Sequence, residues 1–466
     1  MDFLPLVLAL TLPLLLGSLW LGLLVPRSVA GRVPLVLGNG LLLGLVLVPM
    51  LMRTLDFIGA GLSFRASASL TAVLVLLACL AHILWKKNRR GDATSSGEIS
   101  SLTSKQKLIF AVFVALLALH VITLGLEILG RPLFPWDATM HWATKARVWY
   151  ETGSIAPFVD NETWLELGGE GVFTDRHADY PITTPLLQVW INSAVGRWDE
   201  SLMNLPWLMC LLGLGGAFYG QVRTAGISQT VAIIFTYMLM SMPLLNTHVA
   251  LAGYADLFLG ASYCTALMAF YNWSVTRQAW QGAIALIFAF ACTLIKNEGF
   301  FWLLTFIPAL LVVLLPGRKA LITIFVALLC LLLLLFLFPR DLDVAGHSLN
   351  QLKLNFSPAA LAGIATSIWV HGNWHLLGYL LVCLVPLGLA SSKAVADKTL
   401  GVITALAAAT VLFLFLFTST RYSYGAMRLT AVGRISLHLA PGMLFLVTLF
   451  AAALLSREKL KAPQSM

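Results

Sequence analysis

The sequence predicts an all-α polytopic membrane protein of about thirteen transmembrane helices, with one large polar loop at 131–202 carrying interfacial helices. Three observations carry this. Hydrophobic residues make up 59% of the chain and charged residues 11%, with a mean hydropathy of +0.87, whereas a soluble domain is about a quarter charged. Uncharged apolar runs recur along the whole length, each close to the roughly 20 residues that a helix needs to cross a bilayer. Backbone N–H and C=O groups facing lipid must be satisfied within their own segment. The runs are too long and too uniformly apolar for barrel strands, so they are helices.

Taken in order, apolar runs at about 3–25, 34–52 and 67–85 make three spans, and the third ends at Lys86-Lys87-Asn88-Arg89-Arg90. A polar linker from Asp92 to Ser104 follows, then Lys105 and Lys107. This is the densest basic cluster, so the positive-inside rule assigns it to the cytoplasm; a solvated flexible linker is the plain reading of the same residues. A fourth span at about 108–130 then puts the 131–188 stretch outside. Residues 185–199 are apolar but short and run into Arg197, Asp199 and Glu200, the pattern of a helix lying in the interface.

Further spans alternate at about 203–221, 228–247, 254–273, 280–295, 299–316, 320–338, 374–390, 399–418 and 437–455, with a second outer loop at 339–372. Arg223, Arg277, Arg318-Lys319, Lys393, Lys398 and Arg457 then fall inside, while Arg53 and Arg65 fall outside against the rule. The organisation is three helices and a basic linker over 1–107, a main membrane module over 108–441, and the rest of the last helix with its tail over 442–466.

The net charge of +9 is an orientation signal carried by short loops and does not point to nucleic acid. The six cysteines all lie in apolar runs, which predicts neither a disulfide framework nor a CxxC metal site. The first apolar run lacks a basic n-region and a small-residue cleavage site, so it reads as a retained span.

Residues 131–188 concentrate the side chains that do chemistry. Pro132 and Pro135 bar a helix, Trp136-Asp137 opens one, and Gly153 ends it. Asp137, His141 and Lys145 are four apart and share a helix face. A carboxylate held near a cation and an imidazole at a membrane surface is placed to take a proton from an acceptor hydroxyl or amine, so Asp137 is the candidate general base. Asp also suits a helix N-cap, which is the alternative role.

Trp136, Trp142, Trp149 and Tyr150 fit an interfacial aromatic belt. Asp175-Arg176-His177-Ala178-Asp179 alternates oxygen and nitrogen ligands but matches no strong metal spacing, so no metal ligands are assigned. Tyr180-Pro181 with Thr183-Thr184-Pro185 makes a rigid lead into the interfacial helix. Asp256 lies near a span end, where a carboxylate is costly unless it faces a polar cavity. Lys296 and Glu298 meet the same objection, or simply pair with one another. Arg421, Arg428, Arg434 and His438 gather at the start of the last span, where an anionic phosphate, from a substrate or a lipid headgroup, is their natural partner.

In order and in shared sidedness, these features resemble the polytopic GT-C glycosyltransferases, such as the protein O-mannosyltransferases and the aminoarabinose transferase of lipid A. The resemblance covers roughly 108–441. It rests on the acidic opening Trp136-Asp137, the helix to Gly153, the segment Tyr180-Pro181 through Trp190, Leu205-Pro206, Lys296-Asn297-Glu298-Gly299, and Gly433-Arg434 through Pro441. Two departures stand out: the acidic residue is single where many members have an Asp-Glu pair, and three spans precede the usual first one.

The resemblance implies a sugar donor on a polyprenyl phosphate and a lipid-linked or protein acceptor. It implies transfer with inversion at the extracytoplasmic face of a bacterial inner membrane, with Asp137 as base. Lys296, Arg434 and His438, then Arg421 and Arg428, would stabilise the departing phosphate. His141, Lys145, Asp256, Glu298 and Tyr180 would contact acceptor or sugar. No cofactor is required, although some members use a divalent metal. A transporter or flippase of lipid-linked saccharide, and a polysaccharide polymerase or ligase, are the competing classes.

Overall fold

The computed structural model describes residues 3–88, 102–337, 340–341 and 348–461. The basic run at Arg89-Arg90, most of the polar linker and part of the 339–372 loop lie outside the described residues. The described residues are mainly helical, and among them the one sheet is a two-residue parallel pair, β1 (Phe158–Val159) with β2 (Phe173–Thr174). Two compact units are present: Met1–Ser241 with Leu245–Ala261, and Met242–Leu244 with Ser262–Met466.

The first unit begins with α1 (Phe3–Leu24), α2 (Arg32–Phe57), α3 (Phe64–Asn88) and α4 (Ser104–Leu129). It continues through α5 (Thr144–Thr152), α6 (Asn161–Glu166), α7 (Thr183–Val195), α8 (Leu205–Thr224) and α9 (Gln229–Met240). Within α10 (Pro243–Ala250) and α11 (Asp256–Thr276) the chain passes between units. Helices α1 and α2 approach so closely that a Cβ on Gly44 would stand 1.8 Å from the Pro13 carbonyl oxygen. Small residues allow such contact, and where lipid is as apolar as leucine, close backbone packing is what drives helix association. Of α4, Leu124 and Ile128 are buried. Leu108, Val112, Leu119, Ile122 and Leu126 are exposed. In water each such side chain would forgo about 1.5–3 kcal/mol of burial, so the helix is stable only in a lipid-like solvent.

The second unit continues through α12 (Ala279–Ile295), α13 (Glu298–Leu304), α14 (Phe306–Leu314) and α15 (Gly317–Leu337). Short α16 (Leu349–Leu352) and α17 (Ala359–Ala365) follow, then α18 (Leu377–Ser391), α19 (Lys393–Ser419), α20 (Ser423–Met427) and α21 (Val432–Lys461). Among the described residues seven helices are long and apolar enough to cross a membrane: α1, α2, α3, α4, α8, α19 and α21. An eighth span arises if α9 and α10, bent by 58°, are counted as one broken helix. The chain is therefore a helical integral membrane protein. Several of the thirteen runs expected from hydropathy are shorter pieces, including Ala279–Ile295, Glu298–Leu314 and Leu377–Ser391.

The helix expected to lie in the interface packs closely within the protein. In α7 every residue from Thr183 to Asn192 is buried, as is Ala194. It packs on α1, α2 and α5, and the Trp190 indole N–H donates to the Ala9 carbonyl at 2.8 Å. The three N-terminal helices thus form the wall against which α7 is set.

Candidate functional site

The polar loop is built from the residues that stop and start helix. After Pro135, the Asp137–Thr144 region winds as a wide π-type turn over Ala138–Ala143 before regular helix resumes at Thr144. Gly153 ends α5 with φ 67°, a conformation open to glycine at no steric cost. The loop is tied back by Leu62 N–H donating to the Gly153 carbonyl at 2.7 Å and by Ile155 N–H donating to Asp56 at 3.1 Å. The Trp149 indole donates to the Ala156 carbonyl at 2.8 Å, which fixes β1 beside α5. β2 pairs with β1, and Asp175 N–H donates to the Val159 carbonyl at 3.0 Å. That pairing delivers the Asp175 carboxylate to the face of α5.

There Asp175 meets Lys145 Nζ at 2.8 Å and His141 Nδ1 at 2.7 Å, and accepts from His177 N–H at 3.1 Å. The Lys145 ammonium also donates to the His177 carbonyl at 2.5 Å. The Lys145 and Asp175 side chains are 2% and 4% exposed, so this is a desolvated pair whose members depend on each other. Burial opposes ionisation of Asp175, but the hydrogen bond and charge of Lys145, with the His177 N–H and His141, hold its carboxyl below the usual carboxylate range. Burial pulls the Lys145 ammonium down, with Asp175 and Asp179 opposing. Burial, then the charge of His141, lowers the His177 imidazole below its ordinary value.

Aromatic rings close the cluster. Tyr180 stacks on His177 at 4.4 Å and on Trp142 at 5.0 Å, and His141 meets His177 edge-on at 4.7 Å. An ionised carboxylate only accepts, so His141 donates from Nδ1. The His141 side chain is 18% exposed, at the edge of the cluster.

Asp137 behaves differently. It precedes the wide turn, is half-buried, and makes no capping hydrogen bond, so the N-cap role anticipated as its alternative is not the one it fills. Gly253 (φ 111°) packs on the next residue: a Cβ there would lie 2.5 Å from the Ala138 Cβ. Three residues on, Asp256 is 1% exposed at the start of α11, and the Trp207 indole holds the same turn through the Tyr254 carbonyl at 2.8 Å. The turns carrying Asp137 and Asp256, far apart in sequence, are therefore packed together within the first unit.

In the second unit, Lys296 stands extended (φ −157°, ψ 151°) at the break between α12 and α13 and is 4% exposed. Its ammonium meets the Glu298 carboxylate at 3.1 Å, the mutual pairing that their spacing allowed. Gly299 closes the break: a Cβ there would stand 1.9 Å from the Cys292 carbonyl oxygen, so no larger residue fits without a backbone shift. His438 is fully buried on α21, and its Nδ1 accepts from the Trp302 indole at 3.1 Å. A ring accepting at Nδ1 carries its proton on Nε2. Arg434 lies one turn earlier on the same helix. Arg421 and Arg428 are exposed and lie over Tyr422 and Tyr424 at 5.2 and 4.3 Å.

Sequence reasoning brought His141, Lys145 and Tyr180 forward but did not single out Asp175, the shared partner of His141 and Lys145. No local pattern singles Asp175 out among the ten acidic residues of 131–202. Among the described residues no group of three His, Cys, Asp or Glu side chains is arranged to hold a metal ion. No protein-family model, curated protein or solved structure matches the chain.

Proposed function

We propose that the protein is an integral membrane glycosyltransferase that moves a sugar from a polyprenyl-phosphate donor to a lipid-linked or protein acceptor on the extracytoplasmic face, with inversion. The reading rests on the GT-C resemblance of the motifs. The observation that favours it most is the packing of the Asp137 turn against the Asp256 turn, which brings two acidic segments together beside an ordered aromatic cluster. Asp137, half-buried and not engaged as a cap, is the base that takes the acceptor proton as the acceptor oxygen or nitrogen attacks the anomeric carbon. Asp256 orients the acceptor or a sugar hydroxyl. His141, held by Asp175, and Tyr180, with its stacked rings, contribute to binding acceptor or sugar. The resemblance assigns stabilisation of the departing phosphate to Lys296, Arg434 and His438. Glu298 holds Lys296 in place.

A transporter of lipid-linked saccharide is the second reading, favoured by the 58° break between α9 and α10, because broken helices are a hallmark of transport proteins. The purified protein, reconstituted with a labelled polyprenyl-phosphate sugar and a membrane-extract acceptor pool, separates the two. Label transferred to acceptor with inverted anomeric configuration supports the transferase. Label that only changes leaflet, still on its donor, supports the transporter.

A further inference from the structure

The segment joining α19 to α21 has features that the transferase reading does not use. Backbone hydrogen bonds zip it to the chain ahead of α17: Asn355 N–H donates to Ser419 at 3.0 Å, Ser357 N–H to Thr418 at 2.7 Å, and Arg421 N–H to Leu352 at 2.8 Å. Two stretches remote in sequence thus form one surface at the ends of two membrane-crossing helices, α19 and α21. Lys353, Arg421 and Arg428 are all exposed there. Among the described residues none of the three has an acidic partner. The sequence carries no Asp or Glu from 348 to 396 or from 398 to 457.

The apolar side chains beside them are as exposed as the cations: Leu354 61%, Phe356 64% and Tyr424 54%. Each guanidinium lies over a tyrosine ring, with Arg428 4.3 Å from the centre of Tyr424 and Arg421 5.2 Å from Tyr422. A ring face holds the cation by electrostatic attraction, and Arg421 also donates one N–H to the Tyr422 hydroxyl at 3.3 Å, which leaves its other N–H groups for a headgroup. Exposed aromatic and aliphatic groups interleaved with uncompensated cations, at the end of two spans, match one environment: the boundary where acyl chains give way to headgroup phosphates.

We infer that the zipped surface of 352–357 and 420–429 binds the anionic phospholipid headgroups of the bilayer, with Lys353, Arg421 and Arg428 on the phosphates and Leu354, Phe356 and Tyr424 in the acyl boundary. This moves Arg421 and Arg428 from the donor phosphate to the surrounding membrane, and it holds whether or not the protein transfers sugar. A cation near an anionic membrane contributes about 1 kcal/mol, so each one removed weakens retention about fivefold.

The test uses the full chain in detergent and measures retained lipid by native mass spectrometry with phosphatidylglycerol or phosphatidylcholine. The wild type is expected to retain phosphatidylglycerol in preference. The K353Q/R421Q/R428Q variant is expected to lose that preference, while L354S/F356S, with its charges intact, retains less of both lipids. Equal retention of the two lipids by the wild type, or an unchanged preference in the triple variant, would overturn the inference. So would displacement of phosphatidylglycerol by millimolar inorganic phosphate or by one equivalent of polyprenyl phosphate, since either describes a discrete phosphate site instead of a lipid surface.

Discussion

At the scale of single residues, the Lys145–Asp175 pair fixes the loop. Taking one partner from a buried pair leaves the other charged and desolvated, at a cost of about 3–5 kcal/mol. Asp175→Asn is therefore expected to lower the thermal midpoint sharply, and adding Lys145→Met should recover much of the loss. Equal midpoints for Asp175→Asn and wild type would mean the pair does not hold the loop. The loop should also respond to acid. His177 has its proton affinity lowered from an ordinary value of 6.5, so just below that pH the unfolded chain binds more protons than the folded one. Its contribution to stability is full above about pH 6.5 and is lost as pH falls through the depressed value; Asp175 adds a second loss, below its ordinary 3.8. Quenching of Trp142 fluorescence, which reports its stack on Tyr180, should change as pH drops below 6.5, and His177→Gln should remove that first phase. The sequence made His141, Lys145 and Tyr180 legible because their residue types and spacing stand out in an apolar chain. Asp175 was not legible, because its role depends on a two-residue strand pairing that has no local pattern.

At the scale of elements, two stretches carry features that composition does not give. The stretch from Trp136 to Tyr150 is not one α-helix. A wide turn at Ala138–Ala143 interrupts it, and His141 and Lys145 converge on Asp175. α7 looked like an interfacial helix because it is short and bordered by charge, yet it is buried against helices that begin more than a hundred residues earlier. Length and flanking charge describe a helix's ends; they say nothing of its neighbours. The Lys296–Gly299 break was legible, because its glycine and charges interrupt an apolar run. Gly299→Ala must displace the Cys292 carbonyl, an overpacking that costs about 1–3 kcal/mol. A midpoint within error of wild type would show that the turn is free to relax. Trp302→Phe should cost about 1–3 kcal/mol by stranding the buried His438 Nδ1.

At the scale of the whole molecule, the membrane class was legible from composition because apolar runs this long and uniform can face lipid only as helices. The number of spans was less so, since hydropathy counts apolar runs while breaks such as those at Lys296 and Ser241-Met242 cut them into shorter helices. The sidedness proposed for the large loop is open to a direct check. On a cysteine-free background, a membrane-impermeant thiol reagent applied from outside should label Glu170→Cys and leave Ser228→Cys untouched; the opposite pattern would invert the topology. The central claim, that Asp137 is the base of a sugar transfer, is tested most directly by the transfer rate from a labelled polyprenyl-phosphate sugar in Asp137→Asn membranes, with protein amount and thermal midpoint matched to wild type. Loss of the base should slow transfer by about 10²–10⁴-fold while donor binding persists. Transfer by Asp137→Asn at the wild-type rate would contradict the account.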